Sequence, residues 1–173
     1  MNWKLIDRID EVVPFERAVG VKQLSPELPL FRDHFPSFPV IPGVLLVEMS
    51  AQLAGKLLEV SVFLDRGIWI FPILSIVREA KFRSFIHPDH EVRLEVKLKA
   101  LRDESAVVRG TVFAEGKRKG NLELIFAFDP AGIPTLVEGL SLEEYERREL
   151  RRLGYPMGKI EREHGARREG DGD

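Results

Sequence analysis

The sequence predicts an α+β domain in which an antiparallel sheet curls round one long buried helix. Two observations carry that prediction. From Val44 to about Asp65 the composition is helical, with Glu48, Gln52, Lys56 and Glu59 recurring at intervals of four, four and three as one narrow polar stripe. After Asp65-Arg66-Gly67 the apolar period changes to two and keeps that spacing through Asp129.

Met1 to Val13 reads as a short amphipathic element, and Glu16 to Leu24 as a strand, with Ala18, Gly20 and Lys22 set against Val19, Val21 and Gln23. Ser25 through Pro42 is a long loop, and a loop of that length in a compact domain is more often functional than a spacer. The helix after it carries Leu45, Leu46, Met49, Leu53, Leu57, Leu58, Val60 and Phe63, apolar on most faces and therefore wrapped by other structure. Ile73 to Phe82 is a strand. Glu91 to Arg102 places Val92, Leu94, Val96, Leu98 and Ala100 on one face and Arg93, Glu95, Lys97 and Lys99 on the other. Ala106 to Ala114 and Gly120 to Asp129 continue the pattern, with turns at Asp103-Glu104-Ser105 and Glu115 to Lys119. Links this short favour an antiparallel meander.

Asp129-Pro130-Ala131-Gly132-Ile133-Pro134 marks the end of the sheet. Ser141-Leu142-Glu143-Glu144 has the form of a capping box and opens a helix to about Leu153. Beyond Gly154 the chain is charged and aperiodic, so Ile160 to Asp173 reads as a mobile tail. The division is a domain over 1–134 and a charged C-terminal helix with its tail over 135–173.

A chain of 173 residues supports one domain with a real core and an appendage. A formal net charge of −2 gives the whole molecule no strong pull towards nucleic acid or an anionic membrane. The absence of cysteine excludes disulfides, thiolate nucleophiles and the usual structural zinc sites. No targeting segment or membrane span is evident, and the expected location is cytoplasmic. His87 and His90, three apart in a turn, read as surface residues rather than metal ligands, and no metal is expected.

The chemistry concentrates between His34 and Gln52. Pro36, Pro39 and Pro42 stiffen the loop that holds His34, because each fixes φ and restricts the residue before it. Pro42-Gly43 then leads into the helix, and Glu48 lies between one and two turns along it. An imidazole and a carboxyl held beside a helix N-terminus are the parts of acid–base chemistry on a carbonyl compound. Taken singly, His34 also reads as an ordinary loop histidine, and Glu48 as a structural carboxylate paired with a base.

The run His-Phe-Pro-x-x-Pro-x-x-Pro-Gly-Val-x-x-Val-Glu-x-x-Ala-Gln from His34 to Gln52 resembles the active-site signature of the FabZ-type 3-hydroxyacyl-carrier-protein dehydratases of bacterial fatty-acid synthesis. Glu79-Ala80-Lys81-Phe82-Arg83 and His87-Pro88-Asp89 resemble a second block of that family. The likeness runs from about Leu5 to Asp129. It implies the hot-dog fold, with no cofactor, and the elimination of water from a (3R)-3-hydroxyacyl group to give the trans-2-enoyl product.

By the same resemblance, His34 is the base that takes the proton beside the thioester, and Glu48 assists departure of the hydroxyl. The glutamate, where FabA-type isomerising relatives have aspartate, points to the non-isomerising type. Gly43 and Val44 offer backbone N–H groups to the thioester carbonyl. Gln52 orients the carboxyl, and Ile41, Leu45, Leu46, Met49 and Phe82 line an acyl tunnel. Lys81 and Arg83 are candidates to meet the acidic acyl carrier protein. The family's histidine and glutamate meet across a dimer interface, so a homodimer or a higher homo-oligomer such as a trimer of dimers is implied. Asp33 and Ser37 stand where the family usually has glycine. The alternatives are another hot-dog thioester enzyme, a thioesterase or a coenzyme A hydratase, or a non-catalytic acyl-binding or scaffold relative.

Overall fold

A computed structural model describes residues 4–34, 36–128 and 137–170, without the side chains of 164 and 166–170. The elements are β1 (Arg8–Val13), β2 (Arg17–Lys22), α1 (Leu30–Asp33), α2 (Gly43–Arg66), β3 (Ile73–Phe82), β4 (Val92–Leu101), β5 (Ser105–Ala114), β6 (Lys117–Ala127), α3 (Leu142–Arg152) and α4 (Met157–Gly170). Phe35 of the motif and the sheet-ending segment Asp129 to Pro134 lie outside the described residues.

The strands form one antiparallel sheet in the order β1-β2-β4-β5-β6-β3. Only β4, β5 and β6 form the expected meander. The nine residues between β3 and β4 cross the sheet, so that β3 pairs with β6 at the edge rather than with β4. The last hairpin is tighter than expected, with Ala114 opposite Lys117.

α2 lies across the concave face because its apolar residues leave it no other soluble position: Met49, Leu53, Leu57, Leu58, Val60 and Val62 have no exposed surface. They meet Ala18, Leu94, Val96, Val108, Val112 and Leu124 from the inward-facing positions of the sheet in one core. Burying each large side chain contributes about 1.5–3 kcal/mol. The closest crossing needs a strand residue without a side chain, since a Cβ on Gly20 would stand 3.0 Å from Leu53 Cδ1. Gly67 ends the helix in the left-handed region at φ 69°, its N–H donating to the Phe63 carbonyl at 2.8 Å.

The C-terminal segment carries two helices, the second of which covers much of the stretch read as an aperiodic tail. Ser141 and Glu144 form the anticipated capping box, with Ser141 Oγ accepting from Glu144 N–H and Glu144 Oε2 accepting from Ser141 N–H. After Gly154 the chain continues into α4. Met157 and Ile160 of α4 are buried in the same core as Leu150 of α3 and its C-cap residue Leu153. These few apolar anchors hold the start of α4, and two isolated residues produce no visible period in a charged segment.

Candidate active site

α2 sets Glu48, Ala51, Gln52, Gly55, Lys56 and Glu59 on one face, at three- and four-residue spacing. That face is one wall of a cleft of about 500 Å³. Ile6, Phe71, Pro72, Leu74 and Phe126 add apolar lining, and α3 supplies the opposite wall. Gln52 organises the near end. Its Nε2 donates to Glu48 Oε1 at 3.0 Å, and its Oε1 accepts from the Leu5 backbone N–H at 2.8 Å. The side-chain amide thus ties the carboxyl of Glu48 to the N-terminal segment.

Further along the stripe, Lys56 Nζ donates to Glu59 Oε2 at 2.7 Å and also to Glu146 of α3. Both carboxylates are buried. Burial pushes Glu59 well above the ordinary carboxyl range, against the pull of Lys56, and the neighbouring Glu146 pushes the same way. For Lys56, burial works to lower the pKa, but the two carboxylates outweigh it and hold the amine charged. Beside them, Glu149 accepts from Lys4 and Arg152, each at 2.8 Å. Burial alone would raise Glu149, yet those two cations bring it below its usual value.

His34 closes α1 as its C-cap, its N–H donating to the Leu30 carbonyl at 3.1 Å, while Phe31 anchors that single turn in the core. The imidazole is half-buried and is not among the residues lining the Glu48 cleft. The loop after it is pinned where Ile41 N–H donates to the Ile86 carbonyl at 2.9 Å. The exposed rings of Phe38 and Phe85 meet edge to face there at 5.9 Å. Asp33 and Ser37 are exposed and neither has positive φ, so this backbone does not demand glycine at either position.

Gly43 and Val44 begin α2, ahead of the first ladder bonds, which run from Leu45 and Leu46 N–H to the Pro42 carbonyl. Phe82 is wedged against this helix start. A Cβ on Gly43 would come within 3.0 Å of its ring, and one on Gly120 within 2.6 Å. Ile41, Leu45, Leu46 and Met49 are packed into the core and none of them lines the cleft; Phe82 packs against that core. The open volume follows the polar stripe of α2 because the apolar positions are taken up by the sheet.

Lys81 and Arg83 are exposed, and Lys81 pairs with Glu79 at 3.0 Å. His87 Nδ1 lies 2.5 Å from Asp89, and no group of three or more His, Asp or Glu among the described residues is placed to hold a metal. No helix among them is long and apolar enough to cross a membrane. The Leu5 anchor and the α3 wall escape a reading of the sequence, although the polar stripe from Glu48 to Glu59 was a sign that something other than the sheet covers that face.

The model of the FabA-like domain family matches residues 1–128. The 3-hydroxyacyl-[acyl-carrier-protein] dehydratase FabZ of Clostridium acetobutylicum is 33% identical over 122 residues, covering 70% of this chain and 84% of that protein. FabZ of Ligilactobacillus salivarius is 37% identical over 123 residues, covering 70% of this chain and 85% of its own. A hypothetical thioesterase from Streptococcus pneumoniae TIGR4, solved with coenzyme A, superposes with a TM-score of 0.55 at 9% identity, over 70% of this chain and 84% of that one. At that identity the likeness is one of fold alone. The motif from His34 to Gln52, the sheet wrapped round α2 and the match over three quarters of its length make this chain a member of the FabA-like domain family, with FabZ dehydratases among its relatives.

Proposed function

We propose that the protein eliminates water from 3-hydroxyacyl groups on acyl carrier protein, giving the trans-2-enoyl product in fatty-acid biosynthesis. The observation that carries this reading is Glu48, oriented by Gln52 in the wall of a cleft within a FabA-like domain. In the proposed reaction His34 Nε2 or Nδ1 removes a proton from C2. Electron density moves onto the thioester oxygen, which the N–H groups of Gly43 and Val44 receive at the start of α2. The Glu48 carboxyl gives its proton to the C3 hydroxyl, the C3–O bond breaks, and water leaves as the C2–C3 double bond forms. The proton on His34 then passes back through solvent to Glu48, so the enzyme ends as it began, with no cofactor.

In this reading a homodimer completes the site, since His34 does not line the Glu48 cleft of its own subunit. β3 is an edge strand with Ile73, Ile76 and Val77 exposed, and Phe71 borders both that strand and the cleft. Pairing two such edges covers this apolar surface and lets His34 of the partner subunit approach Glu48. The reading places the acyl group along Ala51 and Gly55, against Phe71 and Leu74, in place of a tunnel through Leu46 and Met49. Lys81 and Arg83 are assigned to the acidic carrier, and the location is cytoplasmic.

The test is to incubate the purified protein with 3-hydroxyacyl-carrier substrates of several lengths and follow enoyl absorbance. His34→Ala and Glu48→Gln should each lower kcat by about 100- to 10,000-fold. No turnover at any length would overturn the reading.

A further inference from the structure

The N-terminal segment that holds Gln52 is itself held by α3, which lies beyond the residues the family match covers. Lys4 Nζ donates to Glu149 Oε1 at 2.8 Å, and Arg152 Nε donates to Glu149 Oε2 at the same distance. The Arg152 guanidinium also reaches the Ile6 carbonyl, with Nη1 at 3.4 Å. Further along, Ile9 N–H donates to the carbonyl of Leu153, the C-cap of α3, at 2.9 Å. Leu5 stands between the first two of these ties, and its N–H is the one that donates to Gln52 Oε1 at 2.8 Å. Gln52 in turn donates to Glu48 at 3.0 Å. The contacts therefore run without a gap from Glu149 through Lys4, Leu5 and Gln52 to Glu48.

We propose that Glu149 is a positioning residue for Glu48: by gripping Lys4 it fixes the Leu5 N–H on Gln52, and Gln52 passes that restraint to the carboxyl. Its catalytic meaning rests on the dehydratase reading. Glu149 is only 4% exposed and takes one cation on each oxygen, so water screens it far less than a surface pair. From the sheet side Lys22 Nζ donates to the Lys4 carbonyl at 3.2 Å, and the segment is gripped from two directions. Burial of Leu5 and Ile6 keeps the segment in the core, but burial is non-directional and does not aim an amide. A displacement of about 1 Å would lengthen the Leu5 bond beyond hydrogen-bond range and free Gln52 to take other rotamers.

Glu149→Gln and Lys4→Met each loosen the grip. Each should lower kcat for a 3-hydroxyacyl-carrier substrate by about threefold to tenfold with KM unchanged. Lys4→Arg, which keeps the ion pair, should recover most of that loss. In a Gln52→Leu background neither change should lower kcat further, because the restraint has nothing left to act on. In hydrogen exchange followed by NMR, the Leu5 amide should exchange about tenfold faster in both variants, against unchanged amides in β4 and β5. Lys4→Met decides the outcome if Glu149→Gln does not fold. An unchanged kcat, a raised KM, losses that add to that of Gln52→Leu, or a Leu5 amide that exchanges as in wild type overturns the inference and leaves the dehydratase reading intact. If wild type turns over no substrate, the dehydratase reading fails and exchange alone decides the inference, with the Gln52 side-chain amide followed beside Leu5. Faster exchange at both groups then supports it, and unchanged exchange at either overturns it.

Discussion

Gln52 holds Glu48 from one turn away, donating to Oε1 at 3.0 Å while its own oxygen is fixed by the Leu5 N–H. An amide with both ends engaged cannot swing, so the carboxyl faces the cleft in one orientation. Gln52→Leu should therefore lower kcat about tenfold or more with little change in KM, since misplacing a reacting group costs rate before affinity. It should also cost about 1–3 kcal/mol of stability by leaving the Leu5 N–H unpaired. Gln52→Glu keeps an acceptor for Leu5 but gives Glu48 no donor, so stability should recover further than rate. Steady-state kinetics and thermal melts on both variants separate the two effects.

Mixing His34→Ala subunits with Glu48→Gln subunits tests whether each site is shared. If each site draws its imidazole and carboxyl from different subunits, a mixed dimer has one intact site and one doubly defective one. Random reassociation should then restore about a quarter of wild-type activity. Activity that stays at the level of the separate variants would mean that one subunit supplies both groups.

Ile76 stands exposed on β3, the sheet edge proposed to pair with a second copy. Ile76→Lys should give a folded monomer by light scattering, because a lysine on an edge strand opposes strand addition. Activity should fall together with the dimer fraction. A dimer that survives with full activity would move the interface elsewhere.

Lys56→Met removes the only cation bonded to Glu59 and Glu146 among the described pairs and leaves two buried carboxyls facing each other. The expected cost is about 3–5 kcal/mol near neutral pH. Its pH dependence follows from the raised pKa of Glu59. A group whose folded pKa lies above its unfolded value contributes fully below the unfolded pKa and loses that contribution as pH rises through the folded one. Without Lys56 that pKa rises further. The gap in Tm between wild type and variant should thus be narrow near pH 4 and widen towards neutrality.

Tyr155 is buried, and its hydroxyl has no hydrogen-bond partner among the described residues. Tyr155→Phe should raise stability by about 1 kcal/mol, or about 2–4 °C in Tm for a domain of this size. Burial pushes the phenol up to about 12, with Glu163 adding to it. The wild type should therefore lose stability as pH climbs from about 10 towards 12, and the phenylalanine variant should lose less over the same window. Melting curves at several alkaline pH values measure both effects.

α2 and β4 were legible from periodicity because each buries a continuous face whose spacing repeats along the chain. The place of β3 was not, since local alternation says nothing about which neighbour a crossing loop will deliver. Residue by residue β3 is largely exposed, as an edge strand awaiting a partner would be. α4 escaped notice because Met157 and Ile160 alone anchor its start. Within the site, Glu48 and Gln52 could be paired by their four-residue spacing. The Leu5 N–H on Gln52 and Glu146 on Lys56 could not, being contacts across 47 and 90 residues that only the folded chain brings together.

The two borders of the sheet are treated differently. Along β1, the Leu153 carbonyl accepts from Ile9 N–H at 2.9 Å, so the C-terminal segment occupies part of that border, whereas β3 has no such cover among the described residues. A ribbon able to accept a new neighbour on one side only can be extended once and is then finished. Assembly through β3, as proposed above, would stop at a closed pair rather than run on into a filament, because the appended segment covers part of the other border of the sheet.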